Sequence, residues 1–249
     1  MSDPDSGTGL RISILASALQ PWADVAETLH RRLLHFADHE EGWEILWVGA
    51  GAARAATWWV SRGGQAAAVD PNPAAVAWAE RAVRAAGAGA HLTLQVGRAD
   101  DLPHTDAVYD LVITALGFDP GVDVVEAVAQ AARVVRPLRP VLLAVPIWAG
   151  TPDPRAEPSL AALGLHPRFL TAWKQVARDA GLVEVTAGAA STDGRWLAEG
   201  TVGPLARAWQ GAGLEGVRTL LSAPVRTLRR LVRRRVIDLA MVRGVRWTE

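Results

Sequence analysis

The stretch that decides the fold is Ile45-Leu46-Trp47-Val48-Gly49-Ala50-Gly51-Ala52-Ala53, and Asp70 follows it at the end of the next apolar run. This order predicts a buried strand, a glycine turn, the start of a helix, and then a second strand that closes on an acid. The glycines on either side of Ala50 let the main chain approach a ligand, because neither has a Cβ. The helix that follows offers free N–H groups in its first turn, where a polar or anionic group can bind.

The rest of the chain continues this alternation of strand and helix. We predict strands over 45–48, 65–70, 91–96, 108–114, 140–146 and 182–186, and a short last strand over 241–246. We predict helices over 21–37, 52–61, 73–86, 122–135, 167–180, 202–210 and 223–240, and a loop over 148–158. The alternation favours an α/β fold, a doubly wound, mostly parallel sheet with helices on both faces and extra helices at the C-terminal end. Right-handed crossovers would place the glycine turn, Asp70, Asp100 and Ala115 along one edge, where such sheets bind ligands.

Three segments are expected along the chain. Residues 1–20 are predicted to be a flexible N-terminus, since serine, aspartate, proline and glycine dominate its first half. Residues 21–186 are predicted to form a Rossmann-like domain. Residues 187–249 are predicted to form a helical extension that packs on the same domain and contains a basic amphipathic helix.

Composition excludes several classes of function. The chain has no cysteine, which excludes disulfides, thiolate metal sites and a cysteine nucleophile, and no metal site is expected. We expect a cytoplasmic protein without a membrane span, because the sequence shows neither a leader pattern nor an apolar run of membrane length. The formal net charge is zero and Lys174 is the only lysine, so no broad phosphate-binding surface is expected outside the C-terminal segment. This charge pattern favours a small-molecule substrate over nucleic acid.

Four stretches between Gly42 and Val185 form a recognisable set. They are Ile45 to Gly51, Ala68-Val69-Asp70-Pro71-Asn72, Gly97-Arg98-Ala99-Asp100-Asp101-Leu102-Pro103, and Tyr109-Asp110-Leu111-Val112-Ile113. Together they resemble class I S-adenosylmethionine-dependent methyltransferases, in particular the group that includes the ubiquinone and menaquinone biosynthesis enzymes. The stretch after the fourth of these reads Thr114-Ala115-Leu116-Gly117-Phe118. It lacks the Asn/Asp-Pro-Pro-Tyr motif, which argues against amino-methylation of nucleic-acid bases.

The resemblance implies S-adenosylmethionine as cofactor and a set of residues that bind it. These residues are Trp47, Gly49, Ala50, Gly51, Asp70, Pro71, Ala99, Asp100, Ala115 and Leu116. The glycine turn would lie under the methionine part and the ribose, and Asp70 would bind the ribose hydroxyls. Ala99 and Asp100 would flank the adenine. Ala115 and Leu116 would face the methionine end. The implied reaction is an in-line attack of a small, apolar or aromatic substrate on the sulfonium methyl, with no catalytic residue identified.

This sequence departs from the family pattern at three positions. Trp47 stands where the family commonly has an acid near the cofactor's amino group, Ala53 replaces the third glycine of the loop, and Arg98 replaces an acid near the adenine. The indole of Trp47 is bulky enough to fill part of the methionine pocket, and the strand register decides whether it points there. An alternative therefore stays open, in which the chain is a catalytically inactive protein of this fold that acts as a binding or scaffold module. A nicotinamide-dependent oxidoreductase is a third hypothesis, although Arg54 occupies the last glycine position of its motif.

Other residues extend these hypotheses. Nine arginines lie from Arg218 onward against only Asp238 and Glu249, so the last helix is a candidate surface for an anionic partner. The alternative is that this basic segment packs on the acidic body. Four tryptophans, Trp22, Trp148, Trp173 and Trp196, are predicted to cover the ligand edge, where they would either stack on substrate or simply pack. His104 and His166 are candidate bases in loops near that edge, and the histidines at 30, 35 and 39 are predicted to lie on the surface. A monomer or a homodimer is expected.

Overall fold

A computed structural model describes residues 28–49, 51–118, 121–189 and 223–247 of the chain. One sheet is formed by β1 (Glu44–Gly49), β2 (Gln65–Asp70), β3 (Leu92–Val96), β4 (Leu111–Ala115), β5 (Pro140–Trp148), β6 (Leu182–Ala189) and β7 (Ile237–Arg246). The helices within the described residues are α1 (28–36), α2 (Ala52–Val60), α3 (Pro73–Ala85), α4 (Val124–Val134), α5 (Glu157–Ala162), α6 (Leu170–Asp179) and α7 (Ala223–Arg233).

The sheet has seven strands in the order β3-β2-β1-β4-β5-β7-β6. The first five in this order are parallel to one another, whereas β7 runs antiparallel to both β5 and β6. This arrangement confirms the predicted α/β fold with a doubly wound, mostly parallel sheet. After β1 the chain forms β2 and β3 on one side of β1, and it then crosses to form β4 on the other side of β1. Ligands of such sheets bind at this reversal, outside the carboxyl ends of the strands.

Two apolar cores cover the two faces of the sheet. Alternation along β1 sends Ile45 and Trp47 to one core and Leu46 and Val48 to the other. The first core also contains residues of α1, α2, α5 and α7, and the second contains residues of α4 and α6. The position of Trp47 is thereby fixed, because it lies on the α1 and α2 side of the sheet.

Local sequence explains where the helices next to the ligand edge begin. The Asn72 side chain accepts a hydrogen bond from the Ala74 N–H, and Pro73 occupies the first turn of α3, as expected for a helix start. The Asp123 carboxylate caps α4 by accepting from the N–H groups of Val125 and Glu126. Helix α2 has no side-chain cap on its N-cap residue, which is Gly51. Another residue must therefore satisfy its first N–H groups.

Several element predictions need correction after β5. The predicted helix over 223–240 is too long, because α7 ends at Arg233, Arg235 adopts a left-handed conformation with φ of 55°, and β7 follows from Ile237. The predicted last strand over 241–246 forms within β7, which lies inside the sheet, so the segment 187–249 is not only helical. The predicted loop over 148–158 contains the end of β5 and the start of α5. The predictions for 1–20, the first part of helix 21–37 and the helix over 202–210 lie outside the described residues.

Candidate functional site

The turn after β1 requires glycine for two separate reasons. Gly49 and Gly51 both have positive φ angles, 95° and 94°, which residues with a Cβ adopt only at a cost in free energy. A Cβ on Gly49 would also lie 2.6 Å from the main-chain oxygen of Ala115, because Gly49 pairs with Ala115 across β1 and β4. The turn can therefore approach β4 only with glycine at position 49. Ala50, the third predicted residue of this turn, lies outside the described residues.

Asp70 holds this turn in place from the end of β2. Its carboxylate is fully buried, and one oxygen, Oδ2, accepts from the N–H groups of Gly51 at 3.0 Å and Ala53 at 3.3 Å. The other oxygen accepts from the Asn72 N–H at 2.9 Å. Asp70 thus acts as the N-terminal cap that α2 lacks locally, and its negative charge is favourable at a helix N-terminus. The predicted role of Asp70 toward ribose hydroxyls stays a prediction.

A cleft opens beside the turn on the side of β4, and we call it the Ala99 cleft. It is lined by Gly49, Pro71, Arg98, Ala99, Ala115, Leu116, Gly117, Phe118 and Val122. Five of the residues predicted from the sequence therefore meet here: Gly49, Pro71, Ala99, Ala115 and Leu116. The walls are mostly apolar, and they leave the Arg98 side chain as the charged group of the lining.

Asp100 does not line the Ala99 cleft but positions Arg98 on its wall. The Arg98 guanidinium donates to both oxygens of Asp100, at 2.9 and 2.7 Å, and also to the carbonyl oxygen of Gly121. Asp100 further accepts from the Asp123 N–H at 2.9 Å, next to the start of α4. The hydrogen bonds from Arg98 are the main reason why the pKa of Asp100 lies below its usual value. This network ties the loop after β3 to α4.

A second cleft lies on the α1 and α2 side of the turn, and we call it the Trp47 cleft. It is lined by His30, Leu33, Trp47, Val48, Gly51, Ala52, Ala55, Ile113, Ala115 and Ala144. Ala115 lines both clefts, so the two spaces flank the glycine turn. The Trp47 side chain is only 3 % exposed, and its ring centroid lies 5.5 Å from that of His30 in an edge-on arrangement. Trp47 therefore lines a cleft beside the glycine turn, and its predicted place at the methionine end of a cofactor site stays a prediction.

The prediction that His30 lies on the surface is wrong. His30 is 6 % exposed, and its ring lies between those of Trp47 and Trp58, 4.9 Å from the latter. The available signal is its helical spacing from Leu33, Leu34 and Ala37, which are all buried. The imidazole is an amphipathic ring, and here it packs against two indoles. Gly117, Phe118 and Val122 were also missed as lining residues, because loop residues after β4 have no periodic pattern.

The two candidate bases lie in different places. His104 does not lie at the ligand edge, because its Nδ1 is 3.0 Å from the Tyr109 hydroxyl, just before β4 begins. Arg133 fixes the same loop by donating to the main-chain oxygens of Leu102 and His104. The prediction for His104 is thus wrong, because its ring packs at the opposite end of β4. His166 does lie near the edge, since its main-chain N–H donates to the main-chain oxygen of Gly117 at 2.8 Å.

A third cleft lies at the end of β5, and His166 is among the residues that line it. Trp148, Glu157 and Arg168 are among the residues that line it. Trp173 instead packs in the core, fully buried, with its indole N–H donating to the Pro146 oxygen at 2.9 Å. Of the four tryptophans predicted to cover the ligand edge, Trp148 therefore lines a cleft and Trp173 packs. Trp22 and Trp196 lie outside the described residues.

The described residues contain neither a candidate membrane span nor a candidate metal cluster. No helix in this part of the chain is both long enough and apolar enough to span a membrane. Within the same residues, no cluster of three or more histidine, aspartate or glutamate side chains could hold a metal ion.

Comparison with known proteins agrees with this geometry. Residues 46–138 match the family model described as a methyltransferase domain. Curated protein sequences provide no match. Among solved structures, a geranyl diphosphate methyltransferase in complex with SAM is 17 % identical with a TM-score of 0.67, over 98 % of this chain and 93 % of that one. Phosphoethanolamine N-methyltransferase 2 from Haemonchus contortus is 15 % identical with a TM-score of 0.70, over 88 % of this chain and 52 % of that one.

A further similar structure is not described as a methyltransferase. The cyclase SpnF is 16 % identical with a TM-score of 0.67, over 89 % of this chain and 80 % of that one. At such low identity these likenesses establish the fold, and the cyclase illustrates that one fold hosts more than one reaction. The ubiquinone-type group suggested by the sequence stays a prediction. The chain has the fold of class I S-adenosylmethionine-dependent methyltransferases, and residues 46–138 match a methyltransferase domain.

Proposed function

We propose that the chain is an S-adenosylmethionine-dependent methyltransferase that acts on a small, apolar or aromatic molecule. The observation that carries this proposal is the convergence of the glycine turn, Asp70 and Ala115 between two clefts at the β1–β4 reversal. The match of residues 46–138 to a methyltransferase domain supports it independently. The tight approach of Gly49 to Ala115 leaves main chain rather than side chain beside the clefts, as binding of an extended nucleoside cofactor requires.

The residues on either side of the turn divide the work of binding. Ala99, Leu116 and Phe118 offer an apolar slot for the adenine in the Ala99 cleft, and Arg98 borders it. Asp70 holds the turn against which the ribose would lie. Ala115, shared by both clefts, faces the region between the nucleoside and the methionine end.

The cofactor supplies an activated methyl group on a sulfonium, and the protein's task is then alignment and exclusion of water. Aligning the substrate nucleophile with that methyl replaces a bimolecular encounter by a positioned one, which can lower the barrier greatly. The apolar lining of both clefts keeps water away from the reacting atoms. His166, beside Gly117, is the candidate within the described residues for accepting a proton from the substrate.

The experiment is calorimetric titration with S-adenosylmethionine and, separately, with S-adenosylhomocysteine. Binding at micromolar strength is expected for the native chain. The variant Ala115→Leu should weaken both ligands at least about tenfold, because the larger side chain enters the space that the two clefts share. The matched control is Ala85→Leu, at the exposed end of α3 and away from both clefts. Absence of binding to the native chain, or equal binding by the two variants, would contradict the proposal.

A binding or scaffold role is the second candidate, and α7 is the observation that favours it. Leu228, Leu231 and Val232 bury one side of this helix, whereas Arg226, Arg230 and Arg233 are exposed on the other. This exposed arginine surface would attract an anionic partner. Retention on a polyphosphate matrix that falls steeply with salt, together with no binding of S-adenosylmethionine, would favour this role.

A further inference from the structure

The Trp47 cleft contains a buried hydrogen-bond donor that lacks an acceptor. Within the described residues, the Trp47 Nε1 is shielded from solvent and has no hydrogen-bond partner. Buried polar groups in folded proteins almost always have a partner, so an exception needs an explanation. Trp47 lines the cleft, and therefore a ligand group that enters the cleft can provide the missing acceptor.

Among the described residues, none that lines the same cleft is an acid. The lining residues in the described part of the chain are His30, Trp47, and otherwise apolar or small residues. An ammonium group taken out of water without a carboxylate partner is strongly disfavoured. Trp47 cannot supply that partner, because an indole N–H donates a hydrogen bond and does not accept one.

We infer that Trp47 reverses the recognition of the cofactor's amino-acid end. Its indole N–H donates to the α-carboxylate, and the described residues that line the cleft offer the α-amino group no ion pair. The inference rests on the proposed function, since it requires an adenosyl ligand in the site. His30 positions the indole, because its ring packs edge-on against Trp47 from α1 at a centroid distance of 5.5 Å. The ligand class that fits best is an adenosyl thioether or sulfonium that carries a carboxylate.

The test compares four ligands on the full chain by calorimetric titration. They are S-adenosylhomocysteine, its deaminated analogue, its decarboxylated analogue, and methylthioadenosine, which lacks both groups. We expect the deaminated analogue to bind within about threefold of S-adenosylhomocysteine and the decarboxylated analogue to bind about tenfold more weakly, a difference of about 1.4 kcal/mol. Methylthioadenosine should resemble the decarboxylated analogue.

The variant Trp47→Phe removes the N–H group and keeps an aromatic ring. In this variant we expect the ratio of affinities between S-adenosylhomocysteine and its decarboxylated analogue to fall from about tenfold to about twofold. The affinity for methylthioadenosine should stay unchanged. The matched control is Trp78→Phe, because Trp78 lies on α3 and is 37 % exposed. It should leave all four affinities as they are. If Trp47→Phe does not fold, the four ligands on the native chain still test the inference.

Different failures point to different conclusions. The inference is refuted if the deaminated analogue binds tenfold or more weakly than S-adenosylhomocysteine. It is also refuted if Trp47→Phe still binds the decarboxylated analogue about tenfold more weakly than S-adenosylhomocysteine. In both cases, binding of S-adenosylhomocysteine itself still supports the proposed function. Methylthioadenosine binding as tightly as S-adenosylhomocysteine also refutes it, since the indole then closes the methionine end. If none of the four ligands binds, the proposed function fails and the inference fails with it.

Discussion

Replacing Asp70 by asparagine should destabilise the protein strongly, although the two side chains have nearly the same shape. The buried carboxylate accepts three main-chain N–H groups, from Gly51, Ala53 and Asn72. An amide has one oxygen and one NH₂ group, so in either orientation at least one of these N–H groups faces a donor. An unsatisfied buried N–H costs about 1–3 kcal/mol. Loss of the charge at the N-terminus of α2 costs up to about 2 kcal/mol more.

We therefore expect Asp70→Asn to lower the free energy of unfolding by about 2–4 kcal/mol. This corresponds to a fall in Tm of roughly 5–15 °C for a chain of this size. The assay is urea unfolding followed by tryptophan fluorescence, with Tm measured by calorimetry. The matched control is Asp123→Asn, because Asp123 also caps a helix but is exposed, and asparagine caps exposed helices about as well as aspartate does. If both variants lose less than about 0.5 kcal/mol, a typical effect of surface substitutions, Asp70 does not hold the turn as we argue.

Three further predictions follow from the site and its surroundings. In urea unfolding, Gly49→Ala should lose more stability than Gly87→Ala. Both glycines have a positive φ, but of the two only Gly49 would place its new Cβ against another atom, the Ala115 oxygen, so the difference in stability loss should be about 1–3 kcal/mol. Equal losses would contradict the clash with Ala115. The buried Tyr109 is the only tyrosine, and burial raises its pKa to about 12, so its ultraviolet titration should lie well above the value of about 10 for an unfolded chain. Because the pKa of Tyr109 is raised in the folded state, its contribution to the free energy of unfolding is fully present below about pH 10 and is lost as the pH rises through about 12. The variant Tyr109→Phe should remove this pH dependence. Arg98→Ala should raise the pKa of Asp100 toward its ordinary value in a carboxyl NMR titration. The variant should also lose less stability in acid than the native chain, by no more than about 1 kcal/mol, because Arg98 is half exposed. An unchanged pKa would mean that Arg98 does not lower it. The sign follows from a depressed folded pKa, whose stabilisation is present above the unfolded value and is lost as pH falls through the folded one.

The sheet and its ligand edge were predictable because their signals are local and repeated. Strand β2 begins and ends where its alanine-rich run predicts, and Gly49, Gly51 and Asp70 meet as their spacing indicates. The later part of the chain was harder to predict. The stripe of Leu228, Val232 and Leu239 fits one helix, yet Leu239 belongs to β7, where pairing with β5 overrides the helical period.

Predicting the chemistry of the site required contacts between distant segments. Trp47 was identified as a departure, but only the packing of α1 shows that it meets His30, seventeen positions earlier. Asp100 is adjacent to Ala99 in sequence, yet its carboxylate bonds to Arg98 and to the start of α4 rather than lining the cleft. The domain boundaries, the cytoplasmic location and the choice between monomer and homodimer stay predictions.

The place of β7 in the sheet has a consequence for how the chain is made. This strand is synthesised after β6, yet it lies between β5 and β6 and hydrogen-bonds to both. While the ribosome still holds residues 237–246, β5 is an open edge whose side chains, from Val141 to Val145, are all destined for the core. Domains fold from the N-terminus as they emerge, so the apolar edge of β5 stays unpaired during translation until β7 has been synthesised. We expect a chain that stops before Ile237 to aggregate through β5, even though the glycine turn, Asp70 and Ala115 would all be present.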